Sequence, residues 1–146
     1  MTLAFGSDHA GFRYRVELAK VAADMGYEIS QFGAQSEEPY DYPDAADLVV
    51  EELLQGRATF GVLICGSGIG IEIRANRHPH IRAANCVTVQ MAELAREHNH
   101  ANVLCLGERL ISLDLAGEIM KAFLVTAESE VPRHVRRVEK LDGCVG

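Results

Sequence analysis

Short apolar runs alternate along the chain with longer segments in which apolar residues recur every three or four positions. A short apolar run bounded by turn residues is typical of a buried strand, whereas recurrence at three or four positions is typical of a helix with one buried face. The predicted strands are residues 3–5, 27–32, 62–64, 81–86 and 102–106. Residues 27–32 alternate apolar and polar side chains, which predicts a strand exposed on one side.

Six helical segments follow these strands. The first is striped by Phe12, Val16, Ala19 and Ala22 and closes at Gly26, and the second starts at Pro43, turns Leu48, Val49, Leu53 and Leu54 inward and ends at Gly56. The others run from a glycine turn to Arg77, from Thr88 to Glu97, along a stripe of Leu113, Ala116, Ile119, Met120 and Phe123, and over residues 133–140. Apolar strands separated by amphipathic helices predict a parallel sheet covered on both faces. We therefore expect one α/β domain over residues 1–146, a three-layer sandwich with a five-stranded parallel sheet of flavodoxin-like or Rossmann-like type.

The composition narrows the classes of partner. The chain has 146 residues, of which 48% are apolar, and a formal net charge of −7. Such an acidic chain lacks the basic footprint of a general nucleic-acid binder or of a protein that binds an anionic membrane. No apolar run approaches the roughly 20 residues of a membrane span, and no leader pattern opens the chain, so we expect a cytoplasmic protein. Cys65, Cys86, Cys105 and Cys144 lack paired metal-ligand spacing, which predicts reduced thiols.

The clearest candidate for chemistry is the segment FGVLICGSGIG at residues 60–70, where an apolar strand ends at Cys65 and a glycine-rich turn opens a helix. Backbone amides in such a turn can approach an anion closely, and a thiol beside them can act as a base or nucleophile. The turn is not a P-loop, because Ser67 stands where lysine is required, and its glycine spacing is not that of a dinucleotide fingerprint. A cysteine phosphatase loop would need arginine at Ile71. The alternative interpretation is a tight structural turn with a buried thiol.

A second polar cluster, Asp8 and His9, ends the first predicted strand. In a doubly wound sheet the first strand lies beside the third, so these side chains could face Cys65 and bind hydroxyls or an oxyanion. The alternative is structural, with Ser7 or Asp8 capping the next helix.

Histidines supply a third group of candidates. His98 suits acid–base work, because imidazole titrates near neutral pH. The alternative is a polar helix end with Asn99 in the left-handed conformation. Two histidine pairs could be considered as metal ligands, His78 with His80 and His98 with His100. Neither pair has the helical i, i+4 spacing or a carboxylate or cysteine nearby as a further ligand, so we expect no metal site.

Basic residues gather near the end of the chain. Arg133, Arg136, Arg137 and Lys140 fall on one stripe of the last predicted helix, close to His134. Such a stripe is usually a solvated face. Guanidinium groups also grip phosphate oxygens in pairs, which makes this stripe, together with Arg109 after the fifth strand, a candidate phosphate site.

The motifs form one ordered set: GSDHAG at residues 6–11, DYP at 41–43, CGSGIG at 65–70, REHN at 96–99, NVL at 102–104 and RH at 133–134. This set resembles ribose-5-phosphate isomerase type B over essentially the whole chain. The resemblance implies a flavodoxin-like sheet order, no metal or other cofactor, and a role in the pentose phosphate pathway. It also implies a homodimer or dimer of dimers in which each site uses residues from both subunits.

The resemblance further implies that the chain interconverts D-ribose 5-phosphate and D-ribulose 5-phosphate through an enediolate. His98 would open the furanose ring, and Cys65 would move a proton from carbon 2 to carbon 1. The enediolate oxygen would be held by Ser67 and by the amides of Gly66, Gly68, Ile69 and Gly70. The sugar hydroxyls would be bound by Asp8 and Asn99. The phosphate would be bound by His9, Arg109, Arg133 and Arg137.

Three positions depart from the family pattern. Ser67 replaces a threonine, Arg74 replaces a small residue, and the glutamate base that one branch uses after the glycine turn is Ile71 here. Glu72 follows one position late and would point about 100° away around the helix. The competing interpretations are an isomerase of a six-carbon aldose 6-phosphate such as allose or galactose, and a flavodoxin-like module for a nucleotide or flavin with an inert Cys65. A purely structural role is a further alternative.

Overall fold

The computed structural model describes residues 1–143, which fold around one five-stranded parallel sheet. The strands are β1 (Thr2–Ser7), β2 (Glu28–Gly33), β3 (Phe60–Cys65), β4 (Ala83–Asn85) and β5 (Val103–Gly107). The helices are α1 (Phe12–Asp24), α2 (Tyr42–Leu54), α3 (Ile69–Ala75), α4 (Val89–Asn99), α5 (Leu113–Val125) and α6 (Pro132–Asp142). The predicted three-layer α/β class is confirmed. Cys144, predicted to be a thiol, lies outside the described residues.

The strand order is β2-β1-β3-β5-β4, and every pair is parallel. The flavodoxin order is 2-1-3-4-5, so the order implied by the resemblance is wrong at one edge, where the last two strands are exchanged. All five residues of β5 are buried, which suits a strand with neighbours on both sides. The three residues of β4 are only partly buried, which suits an edge.

The edge strand β4 is shorter than the predicted residues 81–86 because side chains take its outer hydrogen bonds. The Asn76 side chain accepts from the Ala83 N–H at 2.8 Å and donates to its carbonyl at 2.9 Å. Glu72 Oε1 accepts from the Asn85 N–H at 3.1 Å. Helix α3 therefore covers the open edge of the sheet, where an uncovered strand would invite pairing with another chain.

Alternate residues of the central strands face two separate cores. Leu3, Phe5 and Ile64 pack with α1, α4 and α5 on one face. Ala4 and Cys65 pack with α2 and α3 on the other. Because successive side chains of a strand point to opposite faces, a continuous apolar run fills both layers.

Two helices differ in detail from the prediction. On α2, Leu48 and Leu54 are each 43% exposed instead of buried, and Val49 and Val50 form the buried face with two alanines. On α1, Ala19 and Ala22 are buried as predicted, but Phe12 and Val16 are only partly buried, and Tyr14, Arg15 and Leu18 complete the buried face. Chain spacing alone allowed either rotation, since apolar residues occur on both flanks of these helices.

Three described cysteines, Cys65, Cys86 and Cys105, are free and buried. Burial raises the pKa of the Cys86 thiol to about 12 and raises the pKa of the Cys105 thiol well above its ordinary value. Both of these thiols are therefore protonated at neutral pH. Among residues 1–143, no helix combines the length and apolar character needed to cross a membrane.

Candidate active site

The carboxyl ends of β1, β3 and β5 meet at a cavity of about 480 Å³. This edge of a parallel sheet is the usual ligand-binding edge of α/β folds. The residues that line it are Asp8, His9, Ala10, Tyr42, Cys65, Gly66, Ser67, Ile69, Gly70, Arg109 and Leu110. The structure therefore brings together three sets of predicted site residues, namely the glycine turn with Cys65, the pair Asp8 and His9, and Arg109, and adds Tyr42, Ala10 and Leu110.

The glycine turn takes a conformation that side chains would disturb. Gly68 has a φ of +77°, in the left-handed region that favours glycine. A Cβ at Gly70 would lie 2.6 Å from the ring of Tyr42. The ring of Tyr42 thus packs directly on the turn, and the absence of a side chain at Gly70 allows this contact.

Cys65 stands at the floor of this turn and is 4% exposed. Its Sγ accepts a hydrogen bond of 3.1 Å from the Gly68 N–H. Gly66 and Ser67 line the cavity, and within residues 1–143 their N–H groups have no protein acceptor. Ser67 Oγ accepts from the Ile69 N–H at 3.2 Å. The sulfur therefore has one main-chain donor, and two further unpaired N–H groups belong to residues that line the same cavity, an arrangement that stabilises negative charge.

Asp8 lines the cavity and also holds the turn that leads into α1. Its buried Oδ1 accepts from the N–H of Gly11, the N-cap residue, at 3.0 Å, but α1 itself has no side-chain cap hydrogen bond. Ser7 does not cap this helix, because its Oγ is buried and accepts from Arg15 at 2.9 Å.

His9 and Arg109 give the cavity its cationic and donor character. His9 Nδ1 lies 3.1 Å from the Tyr40 nitrogen and 3.3 Å from the Tyr40 carbonyl oxygen. The shorter contact requires an unprotonated Nδ1, which in a neutral imidazole puts the proton on Nε2. Arg109 is exposed over Gly66, and among residues 1–143 its guanidinium pairs with no carboxylate. Both groups are suited to binding an anion.

A second group of predicted site residues lies elsewhere. The rings of His98, at the end of α4, and His134, in α6, stack with centroids 4.3 Å apart. Burial lowers the pKa of His134, and the nearby charges of His98, Arg133 and Arg137 lower it further. Arg133 and Arg137 are exposed on the same helix. Asn99 is the last helical residue of α4.

These two groups occupy opposite edges of the sheet. Helix α4 runs antiparallel to the strands, so His98 lies just before β5 begins, at the amino edge, whereas Cys65 ends β3 at the carboxyl edge. Five residues of strand separate the edges by about 16 Å. One copy of the chain therefore does not bring His98, Asn99, Arg133 and Arg137 to the cavity.

The helix end at His98 also differs from the structural alternative drawn from the sequence. His100, not Asn99, adopts the left-handed conformation, with φ 49° and ψ 41°. His100 Nε2 also lies 2.9 Å from the Ser129 carbonyl, a contact that ties this turn to the segment before α6. His100 is therefore part of the local structure, and His98 beside it is left for other contacts.

The two departures on α3 now have physical explanations. Arg74 donates to both carboxylate oxygens of Asp47, at 2.8 and 2.9 Å, which joins α3 to α2. This hydrogen bond is the main cause that lowers the pKa of Asp47. Glu72 contacts the edge strand, through Asn85, and is not among the residues that line the Cys65 cavity. A Glu72 base would therefore face away from that cavity.

Tyr42 is the lining residue that sequence reasoning quoted in a motif but did not assign to the site. The signal available in the sequence was its position immediately before Pro43, at the start of the helix after the second strand.

Residues 1–143 contain no group of three His, Cys, Asp or Glu side chains arranged to hold a metal ion.

Comparison with known proteins finds one matching family and several relatives that cover nearly the whole chain. Residues 3–141 match the family described as Ribose/Galactose Isomerase. The chain is 41% identical over 139 residues to ribose-5-phosphate isomerase B of Escherichia coli, covering 95% of this chain and 93% of that protein. It is 39% identical to the putative sugar phosphate isomerase YwlF of Bacillus subtilis, covering 97% and 95%.

Solved structures agree with the sequence relatives. Ribose-5-phosphate isomerase B of Clostridium thermocellum superposes with a TM-score of 0.95 at 44% identity, covering 98% of this chain and 96% of that one. The ribose 5-phosphate isomerase of Thermotoga maritima gives 0.93 at 44% identity, with 97% of both chains covered. The exchanged strand order described above is therefore part of a fold that these structures share over nearly their whole length.

Proposed function

Because this chain belongs to the Ribose/Galactose Isomerase family and is an aldose–ketose sugar-phosphate isomerase, we propose that it interconverts D-ribose 5-phosphate and D-ribulose 5-phosphate. One observation carries the proposal: Cys65, with a main-chain N–H on its sulfur, shares a cavity with a histidine and an unpaired arginine. A base, an oxyanion cradle and an anion site are the three parts that this proton transfer needs.

In the proposed reaction the Cys65 thiolate removes the proton from carbon 2 of the open-chain aldose. The electron pair moves through a carbon 1–carbon 2 double bond to oxygen 1, which becomes the negative oxygen of the enediolate. Amides of the glycine turn and the Ser67 hydroxyl hold this oxygen. The proton on oxygen 2 passes to oxygen 1, the thiol returns its proton to carbon 1, and a carbonyl remains at carbon 2.

The remaining groups would bind the substrate. Asp8 accepts from sugar hydroxyls at the cavity wall. His9, through the Nε2–H, and Arg109 donate to phosphate oxygens as charge-assisted partners. The position of both side chains on the lining of the cavity supports these roles.

We propose further that His98, Asn99, Arg133 and Arg137 act in the cavity of a second copy of the chain. His98 opens and closes the furanose ring, Asn99 holds a hydroxyl, and the two arginines complete the phosphate site. The separation of the two sheet edges within one copy supports this arrangement, because a two-fold axis perpendicular to the strands reverses the partner. The amino edge of one copy then lies beside the carboxyl edge of the other.

The surface of α3 and α4 supports a homodimer of this kind. Both helices run from the carboxyl edge to the amino edge, and a groove of about 570 Å³ lies between them beside β4. Exposed large apolar side chains are Ile69 and Ile73 on α3, and Met91 and Leu94 on α4, and the last two line the groove with the exposed Leu141 of α6. Exposed apolar side chains gathered on neighbouring helices are typical of an interface between subunits.

We also propose a reducing, cytoplasmic location, which the free thiols support.

A six-carbon aldose 6-phosphate, such as allose or galactose 6-phosphate, is the second candidate substrate. The family description, which names both ribose and galactose, favours keeping it. The flavodoxin-like binding module receives no support, since the chain is an enzyme of this family. In this proposal the distance from Cys65 to the phosphate-binding arginines determines the length of sugar that fits. Because Arg133 and Arg137 come from the second copy, the way the two copies pair decides between five and six carbons.

The proposal is tested by assaying wild-type protein and His98→Asn on ribose 5-phosphate, on allose and galactose 6-phosphates, and on the acyclic ketose. We expect kcat/KM to be highest for the five-carbon pair. His98→Asn should slow turnover of the cyclic aldose about 100-fold and the ketose by much less, since general acid–base help is lost only in ring opening. His80→Asn is the control on an exposed histidine. Equal losses on both substrates would contradict the ring-opening role, and preference for six carbons would replace the substrate.

A further inference from the structure

One side chain outside the cavity holds the back of the glycine turn. Asn85, the last residue of β4, donates from Nδ2 to the Ser67 carbonyl oxygen at 3.2 Å. The peptide unit that carries this carbonyl also carries the Gly68 N–H, which donates to Cys65 Sγ at 3.1 Å. A continuous line of hydrogen bonds therefore runs from Asn85 through one peptide to the sulfur.

The orientation of the Asn85 amide is fixed. Its backbone N–H donates to Glu72 Oε1 at 3.1 Å, which anchors the residue to α3. Rotating the side-chain amide by half a turn would set Oδ1 against the Ser67 carbonyl, and two acceptors repel. A Cβ at Gly68 would lie 2.8 Å from Oδ1, so the glycine at this position lets the amide approach the turn.

The same amide is not explained by stability. Its Oδ1 is buried and, among the described residues, has no hydrogen-bond partner. A buried polar atom without a partner has lost its hydration without a replacement, so a leucine of similar size would suit a purely structural role better. A buried polar group that stays unpaired therefore calls for an explanation other than stability.

We infer that Asn85 is a positioning residue for the Cys65 base. By donating to the Ser67 carbonyl it fixes the plane of the Ser67–Gly68 peptide and polarises its N–H, since hydrogen bonds in a chain strengthen one another. The N–H is then held towards the sulfur in the anionic state. The inference rests on the proposed function, in which the Cys65 thiolate takes the proton from carbon 2.

The test measures the thiolate directly and apart from turnover. The rate of Cys65 alkylation by iodoacetamide is followed against pH in wild type, Asn85→Leu and Asn85→Asp, with the alkylated peptide identified by mass spectrometry. We expect the pH midpoint of alkylation to rise by about half a unit in Asn85→Leu, the shift that loss of one hydrogen bond of about 0.7 kcal/mol produces. Asn85→Asp should raise it further, because the new carboxylate opposes a nearby anion.

Asn76→Leu is the matched control. Asn76 is also an amide that bridges α3 and β4, through the two hydrogen bonds to Ala83, but it does not contact the glycine turn. Its substitution should lower the melting temperature without moving the alkylation midpoint. Asn85→Leu should also lower kcat about 3- to 5-fold with KM changed less than about 2-fold, since the bond acts on the base and not on binding.

An alkylation midpoint that is the same in Asn85→Leu as in wild type would overturn the inference, as would an equal shift in Asn76→Leu. Failure of the proposed function has a different signature. If Cys65→Ala retains isomerase activity while the midpoint in Asn85→Leu still rises, Asn85 positions the thiol but the thiol is not the base.

Discussion

The two edges of the sheet differ in chemistry, and in our proposal they carry complementary halves of one site. At the carboxyl edge, Cys65 is buried in a turn with a main-chain donor on its sulfur and a lined cavity in front of it. At the amino edge, the partly exposed His98 stacks on the buried His134, beside exposed arginines. In our proposal the first half supplies the base and the oxyanion cradle, and the second supplies acid–base and phosphate-binding groups. Neither half contains all the groups that an aldose–ketose isomerisation uses.

This difference explains how one small domain can serve a two-part reaction. A sheet whose strands have three to six residues is too thin to enclose a sugar phosphate, but the strands hold its two edges in a fixed relation. The proposed two-fold pairing would bring the edge of one copy to the opposite edge of the other without any change in either fold. The rigid half can hold the base in position, and the exposed half can be contributed to the neighbour.

The largest effect is expected from removing the base at the carboxyl edge. Cys65→Ala should lower kcat by about 1,000-fold or more and abolish exchange of the carbon 2 proton with solvent, because no other group at the cavity floor replaces the thiolate. Phosphate affinity, measured by inhibition with inorganic phosphate, should survive. Cys86→Ala is the control, since burial keeps that thiol protonated. Turnover within about 10-fold of wild type in Cys65→Ala would remove the proposed base.

A smaller effect is expected at the amino edge. Arg137→Ala should raise KM for the sugar phosphate about 10-fold and leave kcat nearly unchanged, because it removes one charge-assisted contact to phosphate. Arg136→Ala removes the neighbouring exposed arginine of the same helix, and should change KM less than about 2-fold by the same reasoning. If Arg137→Ala and Arg136→Ala change KM equally, the basic stripe of α6 affects phosphate binding only through its overall charge, or does not affect it at all.

The smallest effect is expected at the contact between α2 and α3, where a substitution should change stability and leave activity unchanged. Asp47→Asn should lower the free energy of unfolding at pH 7 by about 0.5–1 kcal/mol, the range for a partly exposed ion pair. The Arg74 hydrogen bond lowers the pKa of the folded Asp47 carboxyl. Its stabilisation is therefore present above the unfolded pKa of about 3.9 and is lost as the pH falls through the lower folded value.

Urea denaturation at pH 7 and pH 3 measures this contribution. The difference between wild type and Asp47→Asn should shrink at the acid pH, whereas Glu51→Gln on the exposed face of α2 should change stability little at either pH. Activity per folded molecule should stay at the wild-type level. A stability difference that grows towards pH 3 would have the wrong sign for a carboxylate with a lowered pKa.

Much of the fold follows from local patterns. The apolar runs and helical stripes predicted all five strands and six helices because each central strand fills both cores and so contains few polar residues. The order of the last two strands was not predictable in this way. It depends on burial of all of β5 and on Asn76 and Glu72 covering the edge of β4, which are contacts between distant segments.

The carboxyl-edge half of the site was also accessible, since a cysteine before a glycine turn marks a strand end by itself. The role of Arg74 was not, because its partner Asp47 is 27 residues away. Asn85 had no signal in the sequence, as its only functional contact is with a main-chain carbonyl. Such contacts depend on backbone position and leave no pattern in the residue types.

The most direct test of the central claim is complementation between two variants that are each impaired on the cyclic aldose. Cys65→Ala and His98→Asn are purified separately, mixed one to one under conditions that exchange subunits, and assayed on ribose 5-phosphate. If each site takes Cys65 from one copy and His98 from the other, every mixed dimer contains one intact site, and random pairing should restore about one quarter of wild-type activity. A mixture that stays as inactive as its components, although mass spectrometry shows mixed dimers, would contradict the account.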